Sequence, residues 1–185
     1  MKTIFRNLPN ILTVLRMLAV PVFIYFMLEN QITIAIIIFM LAALTDIIDG
    51  FFARKYDLIT TFGKIADPLA DKLMQLAALF TLSLKGWIPS IIFWLVLGKE
   101  LSMILASIYL IKKKYDTSSK WFGKLTSFLL FVAIILTLFR VPEQITTILL
   151  WCCVLMAIFT LLMYARNSFK AIKDKESEDE NLINN

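Results

Sequence analysis

Long apolar segments separated by short polar breaks dominate the chain. Six such segments lie at 9–28, 32–53, 66–84, 87–111, 121–139 and 145–166. Four of the breaks are "ENQ" at 29–31, "KGW" at 85–87, "KKKYDTSS" at 112–119 and "RVPEQ" at 140–144. A segment of about 20 apolar residues is long enough to cross a bilayer as an α-helix. The pattern therefore predicts an all-α, polytopic membrane protein with six transmembrane helices.

The two ends of the chain have a different character. The stretch "KTIFRNLP" places Ile4, Phe5 and Leu8 among polar neighbours, which predicts a short N-terminal interfacial helix. Residues 171–185 are charged or polar almost throughout, so we expect a frayed cytosolic tail after a single membrane domain at 1–170. Arg16 interrupts the first apolar segment and no small-residue cleavage site follows, which favours a retained helix over a removed signal peptide.

Composition narrows the possible chemistry. Of the 185 residues 59% are hydrophobic, and the mean hydropathy is +0.79. The absence of histidine excludes imidazole ligands and histidine-based catalysis. Cys152 and Cys153 are adjacent in an apolar segment, which favours packing over a metal or redox role. Any metal ion must therefore be bound by oxygen, which favours Mg²⁺, Mn²⁺ or Ca²⁺.

The basic residues predict the orientation in the membrane. With six spans, one side collects fourteen of them: Lys2, Arg6, Arg54, Lys55, Lys64, Lys112, Lys113, Lys114, Lys120, Lys124, Arg166, Lys170, Lys173 and Lys175. The other side holds only Lys85 and Arg140. Positive residues accumulate on the cytoplasmic side, so we expect both termini in the cytosol. The net charge of +5 comes from these loops and does not indicate nucleic-acid binding.

Four aspartates reach one depth in this topology. Asp46 lies about 21 Å along a second span that enters from the outside near Ile32. Asp67 and Asp71 lie close to the cytosolic start of the third span. Carboxylates next to lipid must be paired, protonated or bound to metal. We therefore expect an acidic cluster at the cytosolic interface.

Helical spacing places these acids on one face of each span. Asp46, Asp49, Gly50 and Ala53 follow an i, i+3, i+4, i+7 pattern, and Gly63, Asp67 and Asp71 are spaced four apart. Two facing helices with two carboxylates each would form an oxygen cage for one or two divalent cations. Small residues on the same face allow a backbone or a flat ligand to approach closely.

The pattern Asp46-x2-Asp49-Gly50-x2-Ala53-Arg54-x8-Gly63-x3-Asp67-x3-Asp71 is similar to the signature of the CDP-alcohol phosphotransferases. The segment "LPNILTVLRMLAVPVF" also resembles this family, and in particular its phosphatidylglycerophosphate synthases. The resemblance is strong over the first three spans and loose over the last three.

This resemblance implies a six-helix enzyme, commonly a homodimer, that transfers a substituted phosphate from a CDP-linked donor to an alcohol and releases CMP. It implies two Mg²⁺ or Mn²⁺ ions held by Asp46, Asp49, Asp67 and Asp71, with Asp71 also the general base. It assigns the CDP site to Asn10, Thr13, Asp49, Gly50, Ala53, Arg54 and Gly63, with Gly63 closing the turn into the third span. CDP-diacylglycerol is the expected donor, since a lipid can enter sideways from the bilayer.

The acceptor is less closely defined. A small phosphorylated alcohol needs cations, and the candidates are Arg16, Lys99 and Lys124. Synthases that use glycerol 3-phosphate usually carry Arg-Glu in span four and Gly-Lys-x-Lys-Thr before span five, whereas this chain has Lys99-Glu100 and "GKLTS". Glycerol 3-phosphate is the first choice, and phosphatidylglycerol, as in a CDP-dependent cardiolipin synthase, is the alternative.

A divalent-cation transporter is the alternative outside enzymes. It would carry acids near the midplane or along a crossing path, whereas these acids cluster at one interface. A chain rich in Ile, Lys and Asn with no targeting peptide is typical of a bacterial cytoplasmic membrane protein.

Overall fold

Six α-helices make up the chain wherever its backbone is described. The computed structural model describes the backbone of residues 2–55, 61–112 and 121–183, and the side chains of 10–48, 63, 66–106, 123 and 125–166. The helices are α1 Lys2–Leu28, α2 Ile32–Lys55, α3 Thr61–Leu84, α4 Ser90–Lys112, α5 Trp121–Leu138 and α6 Glu143–Ile183. These ranges contain no strand, so the predicted all-α class is confirmed.

Both ends of the chain are more helical than predicted. Helix α1 is continuous from Lys2, so the prediction of a separate interfacial helix is wrong: Pro9 removes only one backbone hydrogen bond and does not end the helix. Helix α6 runs to Ile183, so a frayed backbone from residue 171 is also wrong. Residues 171–185 include two Lys and three Glu, which have high helix propensity despite their polarity.

Two helices are long and apolar enough to cross a membrane in the ranges for which side chains are described. They contain the segments Asn10–Leu28 and Glu143–Arg166. Ile32–Ile48 and Leu125–Leu138 are shorter apolar helical segments. Asp46 and Asp49 in α2 and the Lys99–Glu100 pair in α4 interrupt the apolar runs of these helices. Six membrane spans therefore stay a prediction.

The helices divide into two compact units. The first comprises Met1–Ser90 with Ile134–Glu143, and the second comprises Ile91–Ala133 with Gln144–Asn185. In the first unit α1 packs along both α2 and α3, and the described residues of α2 and α3 make less contact with each other. The rings of Phe23 and Phe39 meet at 5.7 Å in the α1–α2 contact. The predicted meeting of the acidic faces of α2 and α3 stays a prediction, because the side chains of Asp49 and of residues 50–62 lie outside the described set.

Three turns of the first unit have the same cap geometry. Asn30, Gly86 and Arg140 have φ angles of 61°, 67° and 59°. Each is followed by an N–H that bonds back to the carbonyl five residues earlier: Gln31 to Phe26, Trp87 to Leu82, and Val141 to Leu136. This is the Schellman motif, which satisfies the last carbonyls of a helix. The breaks predicted at 29–31, 85–87 and 140–144 are confirmed as turns.

Candidate active site

Two buried side chains of α1 bind one aspartate from each neighbouring helix. Thr13 is fully buried and Arg16 is 3% exposed. The hydroxyl of Thr13 donates to Oδ1 of Asp67 on α3. Nη1 of Arg16 donates to Oδ1 of Asp46 on α2 at 2.5 Å. Because Thr13 and Arg16 are three residues apart on one helix face, α1 connects the acidic residues of α2 and α3.

One oxygen of each of these carboxylates has no hydrogen-bond partner among the described side chains. No residue with a described side chain hydrogen-bonds to Oδ2 of Asp46 or Oδ2 of Asp67. The side chain of Asp46 is 45% exposed, so this oxygen can be reached. Carboxylate oxygens are the donors that Mg²⁺ and Mn²⁺ prefer, so the chemistry of the donor set fits the predicted ions.

The four-aspartate metal site itself stays a prediction. Among the described residues no three His, Cys, Asp or Glu side chains come together in a group that could hold a metal ion. The side chain of Asp49 lies outside the described residues. Asp46, Asp67 and Asp71 therefore do not form such a group by themselves.

Asp71 has a neighbour that the sequence reasoning missed. Nε2 of Gln75 lies 3.4 Å from both carboxylate oxygens of Asp71, one turn further along α3. Gln75 is 5% exposed, and its Oε1 has no hydrogen-bond partner in the described part of the chain. Gln75 continues the four-residue spacing of Gly63, Asp67 and Asp71, and this spacing is the sequence signal that places Gln75 on the same helix face.

The structure gives three α1 and α3 candidates a clearer position. Asn10 is half-buried and lies one turn before Thr13 on the same face of α1. Gly63 is buried in the first turn of α3, which begins at Thr61. The prediction that Gly63 closes the turn before this helix is therefore wrong, because the helix already includes it. The CDP-binding roles of Asn10, Thr13 and Gly63 stay predictions.

The other acceptor candidates belong to the second unit. Lys99 is 7% exposed, and its Nζ lies 2.8 Å from Oε1 of the adjacent Glu100. Thr126 takes the position of the second family lysine; it is buried, with its hydroxyl 3.4 Å from that of Thr160 on α6. Thr126 therefore acts as a packing residue between α5 and α6.

Five predicted site residues have side chains outside the described set: Asp49, Gly50, Ala53, Arg54 and Lys124. Their backbones lie in α2 and α5. Their predicted roles in metal, CDP and acceptor binding are unchanged.

An apolar groove of about 370 Å³ runs between α1 and α2. Leu15, Leu18 and Val22 line it from α1, and Leu41 lines it from α2. Its polar lining residues are Arg16 and Thr45, next to Asp46. The apolar groove therefore ends beside Asp46, one of the two aspartates that side chains of α1 contact.

Residues 6–159 match the family described as CDP-alcohol phosphatidyltransferase. The chain belongs to this family. The resemblance seen in the aspartate signature is thereby confirmed.

Curated relatives in the family cover most of the chain. It is 38% identical over 130 residues to a CDP-diacylglycerol–glycerol-3-phosphate 3-phosphatidyltransferase of Aquifex aeolicus, covering 69% of this chain and 72% of that one. It is 32% identical over 178 residues to the Rickettsia typhi protein of the same name, covering 91% and 98%. A Bacillus subtilis protein with this name is 28% identical over 188 residues, covering 90% and 97%.

Proposed function

We propose that this protein transfers the phosphatidyl group of CDP-diacylglycerol to glycerol 3-phosphate, giving phosphatidylglycerophosphate and CMP in phospholipid biosynthesis. The observation that carries the proposal is the pair of carboxylates, Asp46 and Asp67, that α1 holds by one oxygen each. The relatives' names specify both donor and acceptor. Family membership also argues against the transporter alternative.

The four aspartates have the proposed roles of metal ligands and, for Asp71, of general base. Asp46, Asp49, Asp67 and Asp71 would hold two Mg²⁺ or Mn²⁺ ions, which would supply positive charge to neutralise the diphosphate and the CMP leaving group. Asp71 accepts the proton of the acceptor hydroxyl as that oxygen attacks the phosphorus of the donor. We assign direct attack, since the chain has no histidine to activate a nucleophile that would form a covalent intermediate.

Donor binding requires apolar surface beside the acidic residues. The α1–α2 groove provides it, because its polar end carries Arg16 and Thr45 and its other lining residues are apolar. We assign one acyl chain of CDP-diacylglycerol to this groove. Arg54 and the small residues Gly50, Ala53 and Gly63 are the proposed contacts of the cytidine diphosphate, together with Asn10 and Thr13.

The proposed location is a bacterial cytoplasmic membrane, with six spans and with both termini and the aspartates on the cytosolic side. Large apolar side chains are exposed all along the helices, including Ile47 at 68%, Leu105 at 68% and Ile148 at 67%. Exposed apolar surface of this extent is typical of lipid contact or of an interface. A homodimer is part of the proposal because the family resemblance implies one.

Purified protein supplied with CDP-diacylglycerol and Mg²⁺ tests the reaction. Glycerol 3-phosphate, inositol phosphate, serine and phosphatidylglycerol are offered in turn, and CMP and the lipid product are measured. We expect phosphatidylglycerophosphate with glycerol 3-phosphate alone. Formation of cardiolipin would show that phosphatidylglycerol, and not glycerol 3-phosphate, is the acceptor. An absence of CMP with every acceptor would contradict the proposed activity.

Asp71→Asn tests the proposed base. An amide cannot accept the hydroxyl proton, so turnover should fall at least about a hundredfold, the lower end of a general-base contribution. Binding of CDP-diacylglycerol should change little, as measured by equilibrium binding of the labelled lipid. Loss of folding, detected by gel filtration, would instead give Asp71 a structural role.

A further inference from the structure

A second group of polar residues lies at the turns of the first unit, far along the helices from the aspartates. We call it the turn cluster; it consists of Asn30, Lys85, Trp87 and Arg140. Nζ of Lys85 donates to Oδ1 of Asn30 at 2.5 Å. Cζ of Arg140 lies 3.2 Å from the centre of the Trp87 ring, and Nζ of Lys85 lies 5.9 Å from it. Lys85 and Arg140 thus meet at one indole ring, and Lys85 connects this pair to Asn30 of a third turn.

The two cations of the turn cluster have only neutral partners. Among the described residues, Lys85 pairs with an amide and Arg140 with a ring face, and neither forms an ion pair with a carboxylate. Both charges lie within 5.9 Å of the centre of the same ring, so they repel each other. Contact with a ring face uses none of the five N–H donors of Arg140, and this residue is exposed. The turn cluster is therefore able to bind an anion.

Helix length places the turn cluster about one bilayer away from the aspartates. Along α2, Ile32 precedes Asp46 by about 21 Å, and along α3, Asp67 precedes Leu84 by about 26 Å. The hydrocarbon core of a bilayer is about 30 Å thick. If α2 and α3 cross the membrane as proposed, the turn cluster lies at the interface opposite the aspartates.

The chemistry of this position specifies the ligand. Tryptophan is enriched at membrane interfaces, and arginine binds phosphate oxygens with paired N–H donors. Lys85 and Arg140 are also the only basic residues in the three breaks on that side. We infer that the turn cluster binds the phosphate of an anionic phospholipid in the leaflet opposite the active site. This inference goes beyond the proposed reaction and depends only on the proposed membrane crossing.

A purely structural role is the competing explanation. Helices α1, α3 and α5 all end at these turns, and cations are favoured at the negative end of a helix dipole. The contacts also connect three turns and would stabilise the first unit without any ligand. Lipid binding and stability must therefore be measured separately.

The test uses the full chain in detergent and counts bound phosphatidylglycerol by native mass spectrometry, with phosphatidylcholine as the neutral comparison. Lys85→Gln and Arg140→Gln should each weaken retention of phosphatidylglycerol about fivefold, the effect of one basic residue at a membrane surface. Retention of phosphatidylcholine should not change. Arg140→Lys keeps the charge and should retain most of the binding. Arg166→Gln removes an exposed cation of α6 and serves as the matched control.

Each other outcome overturns the inference. Unchanged retention in both glutamine variants, with a lower melting temperature, would leave only a structural role. An equal loss of phosphatidylglycerol retention in Arg166→Gln would mean that the lipid binds through non-specific charge attraction. Displacement of the lipid by millimolar inorganic phosphate would identify a soluble anion as the ligand. CMP release should remain normal in Arg140→Gln, so failure here is distinguishable from failure of the proposed reaction.

Discussion

At the scale of single residues, the arrangement of the site depends on Thr13 and Arg16. Both are buried on α1, and each fixes one oxygen of a carboxylate on a different helix. A buried hydroxyl or guanidinium that binds a charged partner contributes more than a neutral hydrogen bond. We therefore expect these two residues to position Asp67 and Asp46.

Thr13→Val removes the hydroxyl that orients Asp67 and keeps nearly the same volume. A hydrogen bond to a charged group contributes about 1.5–3 kcal/mol, so we expect the affinity for Mn²⁺ and the kcat to fall about tenfold or more. Thr13→Ser keeps the hydroxyl and should retain both values. The measurements are Mn²⁺ titration by electron paramagnetic resonance and steady-state kinetics. Equal affinities in the Val and Ser variants would exclude a positioning role.

Arg16→Lys distinguishes two roles for the arginine. If Arg16 orients Asp46, as the 2.5 Å contact indicates, kcat should fall while the KM for glycerol 3-phosphate stays within about twofold. Lys124→Gln is the comparison, because Lys124 is a predicted acceptor residue and its loss should raise that KM. A raised KM for glycerol 3-phosphate in Arg16→Lys, with unchanged kcat, would indicate that Arg16 binds the acceptor.

The sequence identified the acidic residues of the site but not the residues that hold them. Aspartates in apolar helices are conspicuous because an isolated charge there is costly. The hydrogen-bond partners of Asp67 and Asp46 depend on how neighbouring helices pack. The periodicity of a single helix does not predict that packing. The sequence therefore predicts ligand contacts for Thr13 and Arg16, and it predicts no role for Gln75.

At the scale of helices and turns, three Schellman caps set where α1, α3 and α5 end. Asn30 and Gly86 are residue types that tolerate positive φ, whereas Arg140 at 59° is not a typical one. Its contact with Trp87 offsets part of the cost of this conformation.

Gly86→Ala and Gly98→Ala should change stability in opposite directions. Gly86 has a φ of 67° and open space around a Cβ, so alanine adds only backbone strain and should destabilise the fold by about 1 kcal/mol. Gly98 lies within α4, also with open space, so alanine should stabilise the fold by up to about 1 kcal/mol. Melting temperatures in detergent check both signs. A higher melting temperature for Gly86→Ala would contradict the αL cap.

Ala19→Phe should obstruct the α1–α2 groove, which Ala19 lines. We expect the KM for a long-chain CDP-diacylglycerol to rise several-fold, and the KM for a short-chain analogue to change little. Ala43→Phe adds the same ring on α2 at a residue that does not line the groove. If both variants raise the KM equally, or neither does, the acyl chain binds elsewhere.

The helices themselves followed from the sequence over most of their length. Polar or glycine-containing breaks at 29–31, 85–87 and 140–144 became turns because they interrupt apolar segments with residues suited to caps. The structures of the two terminal segments were not predicted correctly from the sequence, since polar residues alone do not distinguish a surface helix or a frayed end from a continuous helix. In the C-terminal segment the helix propensity of Lys and Glu decides the backbone instead, and in the N-terminal segment Pro9 does not end the helix.

At the scale of the whole chain, two polar levels are separated by apolar helix. One holds Asp46 and Asp67, and the other holds the turn cluster. Their separation along α2 and α3 is close to the thickness of a bilayer. A catalytic level at one interface and a lipid-binding level at the other would together fix the depth of the first unit in the membrane.

The stoichiometry and affinity of Mn²⁺ binding test the central claim most directly. Electron paramagnetic resonance on the purified chain should show two bound ions, with affinity lowered at least about tenfold in both Asp46→Asn and Asp67→Asn. Asp57→Asn, which changes an aspartate at a variable position between Arg54 and Gly63, should bind as the parent protein does. Wild-type affinity in both site variants would show that the carboxylates held by α1 do not share a cation.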